Sequence, residues 1–100
     1  MTEKRKQTYD LDAIHATARK DMQITSAALR GGAEMGMTRA DIINVICSLS
    51  RKDFQKSMTT NYDHRIWMDV YHAQTEGYVI YIKFVQDAVT EFVCTSFKER

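Results

Sequence analysis

Proline is absent from this chain of 100 residues, so nothing in it reads as a rigid linker or a Pro-rich docking tail. Cysteine occurs only as Cys47 and Cys94, far apart and with no CxxC pair or Cys/His cluster. That spacing excludes a structural zinc site, and because both lie in apolar runs it points to free buried thiols rather than a disulfide. No apolar run approaches the roughly 20 residues that a membrane helix needs. The polar, basic opening, residues 1–7, lacks the apolar core of a signal peptide. A soluble, cytoplasmic protein is expected, with no membrane partner. A large charge excess is missing too: the net charge is +1. Nucleic-acid binders usually carry a clear basic surplus, so any such role must come from how the charges are distributed.

What is present suits one globular domain over residues 1–100, with residues 1–8 as a flexible basic arm. At 44% hydrophobic and 27% charged, a chain of this size can bury roughly two thirds of its unfolded surface. Asp10 or Asp12 can cap a first helix over 11–20, with Leu11, Ile14 and Ala18 on one stripe. A second helix over about 25–35 starts at Thr25 or Ser26 and stops at Gly36. The pair Gly31-Gly32 inside it marks either a close helix contact or a kink. A third helix runs from Thr38, whose Thr-x-x-Asp pattern is close to a capping box, to about Ser48, and its isoleucines and valine predict burial nearly all round. The last two helices have the outline of a helix-turn-helix, but Asp41 near the start of the second would repel phosphate.

From Asp53 the apolar period changes from 3.6 to 2. Four strands are expected: 53–60, 66–73, 78–85 and 89–98, joined by short links into an antiparallel meander. Helices followed by strands is the α+β pattern, a sheet with helices packed on one face and the other face free. Val79, Tyr81, Lys83 and Val85 share a face of the third strand, and Phe92, Cys94, Ser96 and Lys98 share one of the fourth. Lys56, Tyr81, Lys83 and Lys98 are therefore polar residues set on otherwise apolar rows.

The block Asp53-Phe54-Gln55-Lys56-Ser57-Met58-Thr59-Thr60, followed by Asp63-His64-x-Ile66-Trp67-x-Asp69-Val70-Tyr71, then Val79-x-Tyr81-x-Lys83 and Ser96-Phe97-Lys98-Glu99, resembles the motility quorum-sensing regulator toxins. The resemblance implies a RelE-like bacterial ribonuclease fold and the toxin role of a type II toxin–antitoxin system in a bacterial cytoplasm. It implies mRNA cleavage at GC-containing triplets with no metal, no cofactor and no need for the ribosome. Its partners would be the mRNA substrate and a cognate antitoxin protein, with DNA reached only through the antitoxin complex. Carried over residue by residue, the family's catalytic positions fall on Lys56, Tyr81 and Lys98. The position after Trp67, usually Gln in the family, is Met68 here, so a side-chain amide that could bond a base or phosphate becomes a thioether.

Metal-free RNA cleavage uses the RNA's own 2′-hydroxyl as nucleophile. The enzyme must take that proton, stabilise charge on the phosphate and protonate the 5′-oxygen. Lys56 and Lys98 suit the charge and the leaving group, and Tyr81 suits placement of the 2′-hydroxyl. Lys83 and Arg65 are candidate backbone contacts, and Met68 a candidate substrate contact. His64 beside Asp63 is the competing acid/base choice, with His72 also to be weighed. The set Asp63, His64, Asp69 and His72 lacks convincing ligand spacing. Trp67 and Tyr71 read as core before they read as base-stacking platforms. The alternatives are a weakened homologue acting mainly by binding the antitoxin, and a DNA-binding regulator using the helices.

Overall fold

The computed structural model describes residues 2–100. Strand β1 is Glu3–Lys4, followed by helix α1 (Leu11–Lys20), strand β2 (Gln23–Ile24), helices α2 (Ser26–Glu34) and α3 (Arg39–Ser48), and a short 3-10 turn over Arg51–Asp53. Strands β3 (Phe54–Thr59), β4 (Trp67–Thr75), β5 (Tyr78–Asp87) and β6 (Glu91–Glu99) complete the chain. The result is an α+β fold with one six-stranded sheet in the order β1-β3-β4-β5-β6-β2.

The helices lie where their caps place them. Asp10 accepts from the Asp12 amide at α1, and Thr25 from the Ala28 amide at α2. Thr38 and Asp41 form a full capping box at α3. Gly36 ends α2 with φ +75°, and Gly77 turns β4 into β5 with φ +90°, both left-handed values that a side chain resists. The core lies between α1–α2 and one sheet face. It includes Leu11, Ile14, Ala28, Ile42, Ile46, Tyr71, Ile80, Ile82, Phe84 and Phe97, and the rings of Phe54, Tyr71 and Phe84 run through it edge to face at 5.5 and 5.8 Å.

Gly31-Gly32 is a close helix contact and not a kink. A Cβ on Gly31 would collide with the carbonyl oxygen of Phe97, and one on Gly32 would sit 2.6 Å from Ile42 Cδ1. Missing side chains thus let α2 lie directly on β6 while α3 closes over it. Helix α3 is less buried than its composition predicts. Ile42 and Ile46 are buried, but Ile43, Val45 and Cys47 are only partly covered and Asn44 is exposed. The helix packs mainly on α1 and α2, which cover one side of it. Cys94 is the buried thiol expected, pushed up to about 12 by burial, whereas Cys47 is half-buried; both are free.

The sheet departs from the expected meander in four places. First, it is mixed, because β2 pairs in parallel with β6 at Gln23–Val93 and Ile24–Cys94. Second, the N-terminal residues expected as a loose arm lie against the sheet. Glu3 and Lys4 pair with Met58 and Ser57, and buried Asp69 accepts from the Thr8 and Tyr9 amides at 2.9–3.2 Å. Third, β5 continues to Asp87, whose carboxylate accepts from the Val89 and Thr90 amides and so moves the last turn two residues later. Glu91 then takes φ 69° to enter β6.

The fourth departure bears on the site. The register shifts between Lys83 and Phe84, which face Ser96 and Cys94, so Thr95 is an extra residue in β6. Phe92 and Cys94 therefore point into the core, while Ser96 and Lys98 point to the open face. A single alternation cannot put all four together. A similar shift between Phe54 and Lys56 lets Phe54 pack on Tyr71 while Lys56 faces outward.

Candidate active site

The open face is built in rows across the strands. Lys56, Val70, Lys83 and Ser96 form one row, and His72, Tyr81 and Lys98 the next. Strand spacing of about 4.8 Å puts neighbours within a row in reach of each other and Lys56 roughly 10 Å from Lys83 at the backbone. Tyr81 is the hub. Its ring centroid lies 5.8 Å from that of His72, 5.5 Å from Lys98 Nζ and 6.0 Å from Lys83 Nζ. Of the sequence candidates, Lys56, Tyr81, Lys83 and Lys98 are thus brought to one surface.

A groove of about 370 Å³ runs along this surface between Glu3, Lys4 and Arg5 on one side and Lys56, Val70, His72 and Tyr81 on the other. Glu3 holds Lys56 in an ion pair at 3.1 Å. Both partners are partly exposed, and such a pair is worth at most about 1 kcal/mol, which leaves it easy to displace. Burial, and then the nearby Lys98 charge, lower the Lys83 ammonium below the usual lysine range.

A second groove of about 300 Å³ is lined by Lys83 and Ser96, which share a row with Lys56 and Val70 of the first. Its floor is the apolar row Met58, Met68 and Val85. Met68 is therefore on the open face but one row away from Lys56, among hydrophobic neighbours. Tyr62, 83% exposed, stands at the edge of this groove on the loop between β3 and β4. Thr60 fastens that loop through its hydroxyl, which donates to the Asp63 carbonyl and accepts from the Asp63 amide.

Arg65 is not brought to the site. It is 85% exposed, donates from Nε and Nη2 to Asp63, and borders a depression with Tyr9 and Gln86 at another part of the sheet. That pairing holds the Asp63 carboxyl below the usual carboxylate range. His64 is exposed on the same loop. Asp69 and His72 project to opposite faces of β4, so the four residues Asp63, His64, Asp69 and His72 do not converge. Trp67 lies on the helix side, half-buried with Lys4 Nζ 4.2 Å above its ring, and Tyr71 is fully buried. A depression of about 560 Å³ between α1 and the β5–β6 turn carries Asp21, Asp87 and Glu91 against a single Lys20, the wrong charge for a polyanion.

Lys56, Tyr81, Lys83 and Lys98 all lie inside a family match, and Glu3, Lys4 and Arg5 lie outside it. A family model described as "Motility quorum-sensing regulator, toxin of MqsA" matches residues 6–99. This chain belongs to that family. The mRNA interferase toxin MqsR of Escherichia coli (strain K12) is 38% identical to it over 79 residues, 79% of each chain. The family expectation drawn from the Lys56, Tyr81 and Lys98 blocks is thereby met. Sequence reasoning alone did not find Glu3 or Tyr62, and it weighed His72 without bringing it beside Lys56 and Tyr81. Glu3 gave no signal in the sequence; His72 did, since the same alternation that put Tyr81 outward in β5 put His72 outward in β4.

Proposed function

We propose that this member of the family is the toxin of a type II toxin–antitoxin system, an endoribonuclease of the mRNA interferase class acting in a bacterial cytoplasm. In this reading it has a RelE-like relationship to other bacterial ribonucleases and cuts single-stranded mRNA at GC-containing triplets, without metal and without the ribosome. A cognate antitoxin protein holds it inactive, and DNA is reached only through that complex. One observation carries the reading: in a chain of a toxin family, Lys56, Tyr81, Lys83 and Lys98 emerge together on the sheet face that the helices leave open. No helix is long and apolar enough to cross a membrane among the described residues, which accords with a freely diffusing enzyme.

The chemistry follows from the residues. A phosphodiester enters the groove and displaces Glu3 from Lys56. Lys56 and Lys98 flank the phosphate and hold the charge that grows on its oxygens as the 2′-oxygen attacks, the kind of stabilisation that dominates such reactions. One of the two ammonium groups gives its proton to the departing 5′-oxygen. Tyr81, between them, hydrogen-bonds the ribose and fixes the 2′-hydroxyl in line. Lys83 meets a neighbouring phosphate.

The test is incubation of purified protein with single-stranded RNA in EDTA. Fragments ending in 2′,3′-cyclic phosphate with free 5′-hydroxyl partners are expected. Lys56→Ala, Tyr81→Ala and Lys98→Ala should each lower the rate by at least about 100-fold, the scale of one lost catalytic group. Full activity in all three would overturn the site assignment, and intact RNA would overturn the ribonuclease.

A further inference from the structure

Lysine and tyrosine titrate near 10, so at neutral pH neither is a good acceptor for the 2′-hydroxyl proton. His64, the histidine beside a carboxylate in sequence, is on an exposed loop. The groove nevertheless contains an imidazole. His72 stands directly opposite Tyr81 in the β4–β5 register, with the ring centroids 5.8 Å apart and the planes tilted by 44°. It lines the same groove as Lys56, and it also borders the adjoining depression formed by Lys52, Asp53, Gln55 and Arg100. It is half-buried, and its side chain makes no hydrogen bond among the described residues.

We propose that His72 is the general base of the cleavage reaction, a role that rests on the ribonuclease reading above. An imidazole nitrogen of His72 takes the proton of the 2′-hydroxyl. The 2′-oxygen forms its bond to phosphorus, the bond from phosphorus to the 5′-oxygen breaks with its electron pair, and a lysine ammonium, of Lys56 or Lys98, protonates that oxygen. The products are a 2′,3′-cyclic phosphate and a 5′-hydroxyl; the imidazolium then gives its proton to water and the lysine amine takes one back from water, which restores both groups. Tyr81 orients the ring by packing beside it.

The surroundings favour the neutral imidazole that this step requires. Lys56 from β3 and Arg100 from the end of the chain act on it, and Lys4, Arg5 and Lys52 line the two grooves that it borders. Lys98 lies beyond Tyr81, and among the described residues the acidic ones lining these grooves are Glu3 and Asp53. Burial first, then the charges of Arg100 and Lys56, lower its pKa below 6.5.

The experiment is the pH dependence of single-turnover cleavage of a fluorophore-labelled, GC-containing single-stranded RNA, from about pH 5 to about pH 9, the range in which a histidine changes charge. The wild-type rate should rise with pH through a midpoint below about 6.5. His72→Ala should lose about 100-fold and show no such limb, and added imidazole should restore part of its rate but none to Lys56→Ala. His64→Gln should keep both rate and limb. The proposal falls if the wild-type profile has no acid limb, a result that needs no variant to fold. It falls equally if His72→Ala and His72→Gln stay within about threefold of wild type, or if His64→Gln removes the limb. Cleavage that survives in His72→Ala overturns this role alone, whereas a wild type that cuts no RNA overturns the ribonuclease reading and this role with it.

Discussion

Met68 shows how much one side chain can decide on this surface. It sits on the open face between Met58 and Val85, one row from Lys83 and Ser96. A thioether there offers a base an apolar, polarisable contact and at most a weak acceptor. Met68→Gln would place an amide among these neighbours, able to bond a base edge or a phosphate. The expected outcome is a faster enzyme or a changed set of cleavage sites, read by sequencing fragment ends from a mixed RNA pool. Unchanged rate and unchanged sites would remove position 68 from the substrate surface. His72 has a stability signature as well. Its folded pKa is depressed, so its neutral form contributes stability that is present above 6.5 and lost as pH falls through the lower folded value.

At the scale of elements, the site depends on how α2 sits on β6. Gly31 abuts the Phe97 carbonyl, and its missing Cβ would also lie 3.2 Å from Lys98 Cβ. The strand that presents Lys98 is thus backed by a helix without side chains at the contact. Gly31→Ala cannot be relieved by turning a rotamer, because the atom it meets is backbone. A loss of about 1–3 kcal/mol is expected from overpacking, a fall in Tm of several degrees for a domain of this size. Thermal unfolding checks this. A Tm equal to or above that of wild type would mean that α2 and β6 are further apart than described. The contact also explains why a glycine pair, usually a cost of about 1 kcal/mol each in a helix interior, sits in the middle of α2.

The whole molecule carries a net charge of only +1, yet its open face gathers a basic excess. Lys56, Lys83, Lys98, Arg5 and Arg100 border the open face with Glu3 and Asp53 as acidic neighbours, whereas the helical side mixes Asp10, Asp12, Asp21, Glu34 and Asp41 with Arg19, Lys20, Arg30 and Arg39. Binding of a non-cleavable 2′-O-methyl RNA should therefore weaken steeply with salt. Each phosphate contact adds about 0.7 to the slope of log affinity against log salt. Lys83→Ala and Lys98→Ala should each reduce that slope by about 0.7, measured by fluorescence anisotropy. Slopes unchanged in both variants would place the RNA elsewhere.

The sequence by itself determined the elements and much of their facing. Caps at Asp10, Thr25 and Thr38 and the glycine at 36 marked the helices because their signals are local, a side chain meeting an amide two or three residues away. Alternation placed Tyr81 and Lys83 outward because the strand period is fixed by backbone geometry. The motif blocks around Lys56, Tyr81 and Lys98 carried the family. Only the tertiary structure decided the rest. The extra residue at Thr95, which separates Lys98 from Phe92 and Cys94, is invisible without the partner strand that it slips against. The two-residue strands β1 and β2 have no period to read, and they exist because β3 and β6 offer unpaired edges. The company that His72 keeps is likewise a matter of register. Two strands had to pair residue by residue before His72 stood in one groove with Lys56 and Tyr81.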